Sequence, residues 1–399
     1  MFANVAEKDC KCYISSMAKH FDLRIPQISF DSSIASTIFD LEKLRYTKLS
    51  ESKSNRIFFE LKNIFHMLES IGSSRIEGNN TTIADYVEST KIENCNTDSV
   101  VDDIREIINI EGATEYIEEN IDSIQISMKL IRELHYLAVQ GLDYRKEGAV
   151  HPGDFRKGNV RISGTEHIPP EYIQINDYLQ ELIDFINEDS QKQFDLLKIA
   201  IAHHRFVWIH PFENGNGRVV RLFTYVLLLK KVFTSKERII NPTAVFCCNR
   251  DDYYKYLKMA DSGTDEGLLA WCEYVLSGLA KEIKKIDQLA DYTYLKTEIL
   301  YPALSDAKSK LYITPIEYNI LKKVIDSSEQ IIQAKDLNDI FKGKTASEVS
   351  RNIKVLLDKK MLVPEKANSR KYVISFKDNF LLRSILKSLD EKGFLPLRN

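Results

Sequence analysis

Apolar residues recur every three to four positions over most of the first 300 residues, the period of helices with one buried face. In NRIFFELKNIFHMLESIG the residues Ile57, Phe58, Leu61, Ile64, Phe65, Leu68 and Ile71 hold this spacing, and a helix is predicted over residues 40–72. The same period marks Ile104–Ile117, Ile126–Leu137, Asn176–Ile186, Phe194–Ile209, the very apolar Arg218–Lys231, Asp251–Met259 and a long helix from Leu268 to about Glu298. The texture changes at Glu147, where EGAVHPGDFRKGNVRISGTEHIPPEY mixes Gly, Pro and short β-branched pieces and predicts a loop with a small hairpin. A second break, YPALSDAKSKLYITP at Tyr301–Pro315, reads as a linker. Beyond it IEYNILKKVI, AKDLNDIF and TASEVSRNIKVLLDKK predict three short helices, and MLVPEKANSRKYVISF two strands, the outline of a winged helix-turn-helix module. The fold class is therefore mainly α.

Composition adds bounds. A chain of 399 residues suggests two or three domains, and 44% hydrophobic with 28% charged residues is the balance of a soluble globular protein. No apolar run reaches the length of a membrane span, and acids and lysines occupy the N-terminus where a signal peptide would be apolar. Cys10, Cys12, Cys95, Cys247, Cys248 and Cys272 show no paired CxxC spacing. They read as free thiols of a cytoplasmic protein. The formal net charge of −3 conceals an asymmetry. Residues 311–377 carry 11 Lys and 2 Arg against 8 Asp and Glu, a net of +5, which leaves −8 for the rest.

Candidate chemistry concentrates between two apolar helices, in His210-Pro-Phe-Glu-Asn-Gly-Asn-Gly-Arg-Val-Val-Arg221. Gly215 and Gly217 permit a sharp turn that exposes backbone N–H groups, and the helix beginning near Arg218 adds unpaired donors of its own. Arg218 and Arg221, three apart, share a helix face and suit a polyphosphate. They oppose the helix dipole, so an anion is expected beside them. His210 is placed to act as a base near neutral pH, and the Asn214 amide oxygen is a candidate, if weaker, ligand for a hard cation. These residue types together describe nucleotide phosphoryl or nucleotidyl transfer. His203 and His204, with no zinc-ligand spacing around them, are assigned to packing or to supporting the residues around the site.

The stretch resembles the signature of the Fic family, His-x-Phe-x-(Asp/Glu)-Gly-Asn-Gly-Arg-x-x-Arg, at every defined position except Asn214, where the family usually has a Mg²⁺-binding acid. The resemblance implies transfer of AMP from ATP, with Mg²⁺ or Mn²⁺, to a Ser, Thr or Tyr hydroxyl of a target protein, the chain itself included among candidate targets. It implies that His210 is the general base, that Phe212 points into the core, and that Gly215, Asn216 and Gly217 hold the phosphates. Arg218 and Arg221 would contact the polyphosphate, Arg221 nearest the γ-phosphate. Ser73-Ser-Arg-Ile-Glu77-Gly78 fits the family's inhibitory motif, (Ser/Thr)-x-x-x-Glu-(Gly/Asn), with Ser73 and Glu77 on one helix face and Gly78 just past its end. A Glu77 carboxylate paired with Arg221 would occupy the guanidinium needed by the γ-phosphate. GDFRKGNVRISGTEHIPP is similar to the family's flap, a target-binding hairpin, with Val160, Arg161, Ile162 and Ser163 as its candidates. Residues 249–261 resemble the segment lining the adenine pocket, with Tyr254 the candidate there.

The resulting expectation is an N-terminal helical extension with the inhibitory helix (1–100), a Fic catalytic core (101–300) and a winged-helix domain (301–399). Two enzymatic alternatives stay open: removal of AMP from a modified target, and use of another nucleotide or phosphodiester donor. A rival of another class is a DNA-binding regulator whose Fic-like core senses nucleotide. Ser350, Arg351 and Lys354 would enter a major groove while Lys344, Lys366, Arg370 and Lys371 contact phosphates. No membrane partner is expected, and an oligomer remains open.

Overall fold

The computed structural model describes residues 21–46, 56–91, 101–162, 165–189, 191–233, 239–377 and 379–395. Its helices are α1 (Ser33–Tyr46), α2 (Arg56–Ile76), α3 (Ile83–Lys91), α4 (Asp102–Asn120), α5 (Met128–Val139), α6 (Ile175–Asn187), α7 (Asp195–Ile209), α8 (Asn216–Leu227), α9 (Thr243–Cys247), α10 (Arg250–Ala260), α11 (Asp265–Asp287), α12 (Tyr292–Tyr294), α13 (Tyr301–Ser309), α14 (Pro315–Asp326), α15 (Ala346–Asp358) and α16 (Leu381–Glu391). Two strands, β1 (Leu362–Pro364) and β2 (Tyr372–Ile374), pair antiparallel with Val363 opposite Val373. No helix of the described residues is long and apolar enough to cross a membrane.

Several helices start where a side chain caps the free N–H groups. Ser127 accepts from Leu130 N at the head of α5, Asn249 from Asp252 N at α10, and Thr345 with Glu348 forms a capping box at α15. The apolar faces then close two cores. The first gathers α4 to α8 with α10 and α11 around Phe206, Phe212, Val220, Phe223 and Trp271. The second joins Ile57, Leu61, Phe65 and Leu68 of α2 to Leu300, Leu304, Ile320, Leu321, Leu356 and Leu389. Most of α2 is thus buried against the C-terminal region, and the boundary drawn at residue 300 falls inside a shared core.

Four local expectations change. The stretch read as a linker is helical: a π-helical turn over Leu295–Leu300 runs into α13. Pro302 sits just past this turn, where a proline has no N–H to give the ladder and the helix is wound π rather than α ahead of it. The long helix expected through Glu298 breaks at Asp291, whose extended backbone and side chain cap the next turn. AKDLNDIF forms a short 3₁₀ turn, Ala334–Leu337. The flap hairpin is absent: among the described residues of 147–172 no strand pairs with another, and Val160, Arg161 and Ile162 lie in a loop, Ser163 falling outside the described residues. Side chains do the cross-linking there instead. Arg156 donates to the carbonyls of Gly158 (2.8 Å) and Pro170 (2.5 Å), and Asn159 Oδ1 accepts from Tyr172 N (3.0 Å). Cys10, Cys12 and Cys95 also fall outside the described residues, whereas Cys247, Cys248 and Cys272 are in no disulfide.

Candidate active site

The loop between α7 and α8 is set by its own residues. His210 ends α7 in the left-handed conformation, φ 50°, and Gly215 begins α8 at φ 78°. Asn216 closes the turn between them: its Oδ1 accepts from Phe212 N (2.9 Å) and its Nδ2 donates to Phe212 O (2.8 Å). The Asn216 side chain is therefore spent on loop shape, which leaves its backbone for a ligand. Phe212 is fully buried and stacks on His135 with ring centroids 3.8 Å apart. No side chain caps α8, so its first-turn N–H groups remain as an anion-binding end.

His210 is largely buried, and its carbonyl accepts from Arg156 Nε at 2.8 Å. Burial pushes its pKa down to about 4, opposed by a hydrogen bond to the Val207 backbone and by the Glu77 charge, with the Arg156 charge adding to the shift. The imidazole is neutral well below pH 7, a stronger depression than the sequence reading assumed. His135 shares this state: Nδ1 accepts from Gly153 N at 2.8 Å, which leaves Nε2 to donate to Asn214 O at 3.2 Å, and burial lowers its pKa to about 4.

The two arginines take different partners. Arg218, fully buried, donates to Glu147 O (2.7 Å) and pairs with Glu147 Oε2 (3.1 Å) and Glu106 Oε1 (3.2 Å). Arg221 donates through Nε to Ser73 Oγ (2.8 Å) and through Nη2 to Ser73 O (2.9 Å) and Glu77 Oε1 (2.7 Å). Burial alone would raise the Glu77 carboxyl, but Arg221, helped by Arg218 and Arg250, holds it below its usual value. Glu77 follows the last residue of α2, in a turn closed by Asn79 N donating to Ser74 O (3.1 Å) with Gly78 at φ 104°. The carboxylate rests on the glycine loop, since a Cβ at Gly217 would fall inside it. The anion beside Arg221 is thus Glu77, just past the end of α2, and those beside Arg218 are Glu106 and Glu147.

Asn214 donates through Nδ2 to the carbonyls of Lys146 (3.1 Å) and Gly148 (2.9 Å), leaving Oδ1 as its free end. Among the described residues no group of three or more His, Cys, Asp or Glu side chains is arranged to hold a metal ion. Tyr254 stands 44% exposed beside Arg250, while its neighbour Tyr253 is the buried one and meets His203 Nε2 at 3.0 Å. His203 also meets Thr224, and His204 meets Asp261 at 2.9 Å, so both histidines serve packing. The residues missed from the sequence are Arg156, His135, Glu106 and Glu147. Each acts on the loop from a distant segment, and the Arg in GDFRKG is the one with any local signal.

Residues 125–228 match the family model described as Fic/DOC family. A protein adenylyltransferase Fic from Drosophila melanogaster is 30% identical over 200 residues, which are 50% of this chain and 37% of that protein. The counterpart from Drosophila willistoni is 29% identical over 200 residues with the same two shares, 50% and 37%. The chain therefore spans little more than a third of the length of these relatives. Among solved structures, a Fic family protein from Desulfovibrio desulfuricans aligns over 88% of this chain and 98% of its own, with TM-score 0.52 and 20% identity. A Fic domain containing signaling protein from Bacteroides thetaiotaomicron aligns over 65% and 97%, with TM-score 0.50 and 19% identity. Both likenesses concern the fold.

Proposed function

Given the Fic/DOC domain that the chain carries, we propose that the protein transfers AMP from ATP to a Ser, Thr or Tyr hydroxyl of a protein, and that Glu77 holds it inactive. The relatives named as adenylyltransferases support the reaction. The observation that carries the inhibited state is the Glu77–Arg221 pair over Gly217. His210 accepts the hydroxyl proton, for which a neutral imidazole is required. The target oxygen then attacks the α-phosphorus, the bond to the β-phosphate oxygen breaks, and pyrophosphate leaves. Gly215–Gly217 and the head of α8 receive the phosphates, and Arg221 neutralises the γ-phosphate once Glu77 has left it. Tyr254 is assigned to the adenine side, and Val160–Ser163 to the target backbone, the described Val160, Arg161 and Ile162 lying in a loop. Mg²⁺ or Mn²⁺ would neutralise phosphate charge, with Asn214 Oδ1 as the candidate protein donor. Incubating the Glu77→Gly protein with ATP and either metal should add one AMP by intact mass, and His210→Ala in the same background should remove that gain. An AMP gain that survives His210→Ala refutes the base assignment.

A second reading concerns the C-terminal region. Ser350, Arg351 and Lys354 are exposed on α15, and Lys344, Lys366, Arg370 and Lys371 are exposed around it, a distribution that suits duplex DNA. Because the second core includes α2, the full chain is the species to test. Its affinity for duplex should fall steeply as salt rises, and Arg351→Ala with Lys354→Ala should remove most of it; binding indifferent to salt refutes this reading.

A further inference from the structure

Behind the last turn of α2 lies a cavity of about 510 Å³, lined by Arg75, Cys247, Cys248, Arg250, Lys281 and Lys285 among others. Lys285 is engaged by Glu282 at 2.9 Å, whereas Arg75, Arg250 and Lys281 form no ion pair with a described residue. Glu282 and Asp390 also line it, so four basic residues face two acidic ones and the walls keep a modest excess of positive charge, which suits an acidic ligand. Two adjacent thiols border this space. Cys247 is packed on α2, its Sγ only 3.1 Å from where a Cβ on Gly72 would stand. Cys248, the next residue, is exposed. The Cys247 hydrogen bond, with Lys285 and Lys281 nearby, holds the Cys248 thiol down to about 7, while the same bond and burial push Cys247 up. Of the pair, Cys248 is the accessible nucleophile.

We propose that Cys248 is a modification site for acidic low-molecular-weight disulfides such as glutathione disulfide, and that the mixed disulfide formed there releases Glu77 from Arg221. The second half rests on the inhibitory reading of Glu77 given above. In the exchange the Cys248 thiolate attacks one sulfur of the disulfide. A new S–S bond forms as the old one breaks, and the departing thiolate takes a proton from water. The Cys248 sulfur is oxidised and the departing sulfur reduced, so no further oxidant is needed. The carboxylates of the adduct meet Arg75, Arg250 and Lys281. Its bulk fills a cavity to which α2 contributes Arg75 and Ile76, one residue short of Glu77. Arg250 is also one of the charges holding Glu77 ionised, so drawing it toward the adduct weakens the lock from a second side.

The test uses the full chain, treated with glutathione disulfide or with cystamine, a cationic disulfide, at equal concentration. The peptide containing Cys247 and Cys248 is followed by mass spectrometry. The adduct should form on Cys248 several-fold faster from glutathione disulfide than from cystamine, Lys281→Gln should narrow that ratio, and Cys248→Ser should abolish the adduct. Labelling by ATP should rise several-fold in the modified protein, fall back on treatment with dithiothreitol, and stay unchanged in Cys248→Ser. No adduct at Cys248, or equal rates from the two disulfides, overturns the site. An acid-selective adduct without a rise in labelling, in a protein whose Glu77→Gly form does label, overturns the coupling. If Glu77→Gly fails to label as well, the transferase reading falls, and the rates of adduct formation still decide the site.

Discussion

His210 is held neutral by burial, with a pKa near 4 against an ordinary value of 6.5. A depressed histidine remains a proton acceptor until the pH falls through its own pKa. Labelling by the Glu77→Gly protein should therefore show no acid limb between pH 8 and about 5.5 and should fail only as the pH nears 4. A midpoint near 6.5 in the rate profile would contradict the buried imidazole. How far the site was legible follows from the same residue. His210, Gly217 and Arg221 lie within one twelve-residue stretch, so their chemistry shows in the sequence. Glu77 and Ser73 are legible only as a motif, because Arg221 and Ser73 lie 148 positions apart. Arg156 and Glu147 act through hydrogen bonds spanning 54 and 71 positions, and no local spacing announces such a contact.

At the scale of elements, α2 joins two environments: its first turns sit in the second core, and its last turn holds Arg221. Ser73 and Glu77 share that clamp unequally. Ser73→Ala removes one hydrogen bond to a charged group, worth about 1.5–3 kcal/mol where it is buried, but leaves the Glu77 carboxylate on Arg221. Its labelling should exceed wild type and stay below that of Glu77→Gly; equal labelling by the two variants would show that the serine is the true lock. The apolar period located most helices because it depends on each segment alone. The flap was read instead from Gly, Pro and β-branched pieces and from resemblance, and among the described residues of 147–172 Arg156 and Asn159 side chains make cross-links with no strand pairing. Two prolines and polar residues also suggested a break at Tyr301–Pro315, where the chain stays helical from a π-helical turn through Pro302 to Ser309.

Over the whole molecule, the C-terminal region packs on α2, the helix that ends one residue before Glu77. Leu321 of α14 is fully buried in the core shared with α2. Leu321→Ala should cost about 2–5 kcal/mol of stability, read from the denaturant midpoint, and should raise labelling by loosening α2. Lost stability with unchanged labelling would uncouple the two regions. The net charge of −3 was uninformative about this arrangement, since charge reports on partners and the shared core is apolar. The period of α2 showed that it has a buried face, and only the fold shows what covers that face. Nucleotidyl transfer by His210 beneath a removable Glu77 carboxylate is the central proposal. The direct test supplies the Glu77→Gly protein with ATP labelled at the α-phosphorus or, separately, at the γ-phosphorus. The account predicts that α-label alone becomes protein-bound, that His210→Ala abolishes it, and that the protein with Glu77 intact takes up far less. Protein-bound γ-label, or α-label that persists in His210→Ala, would contradict it.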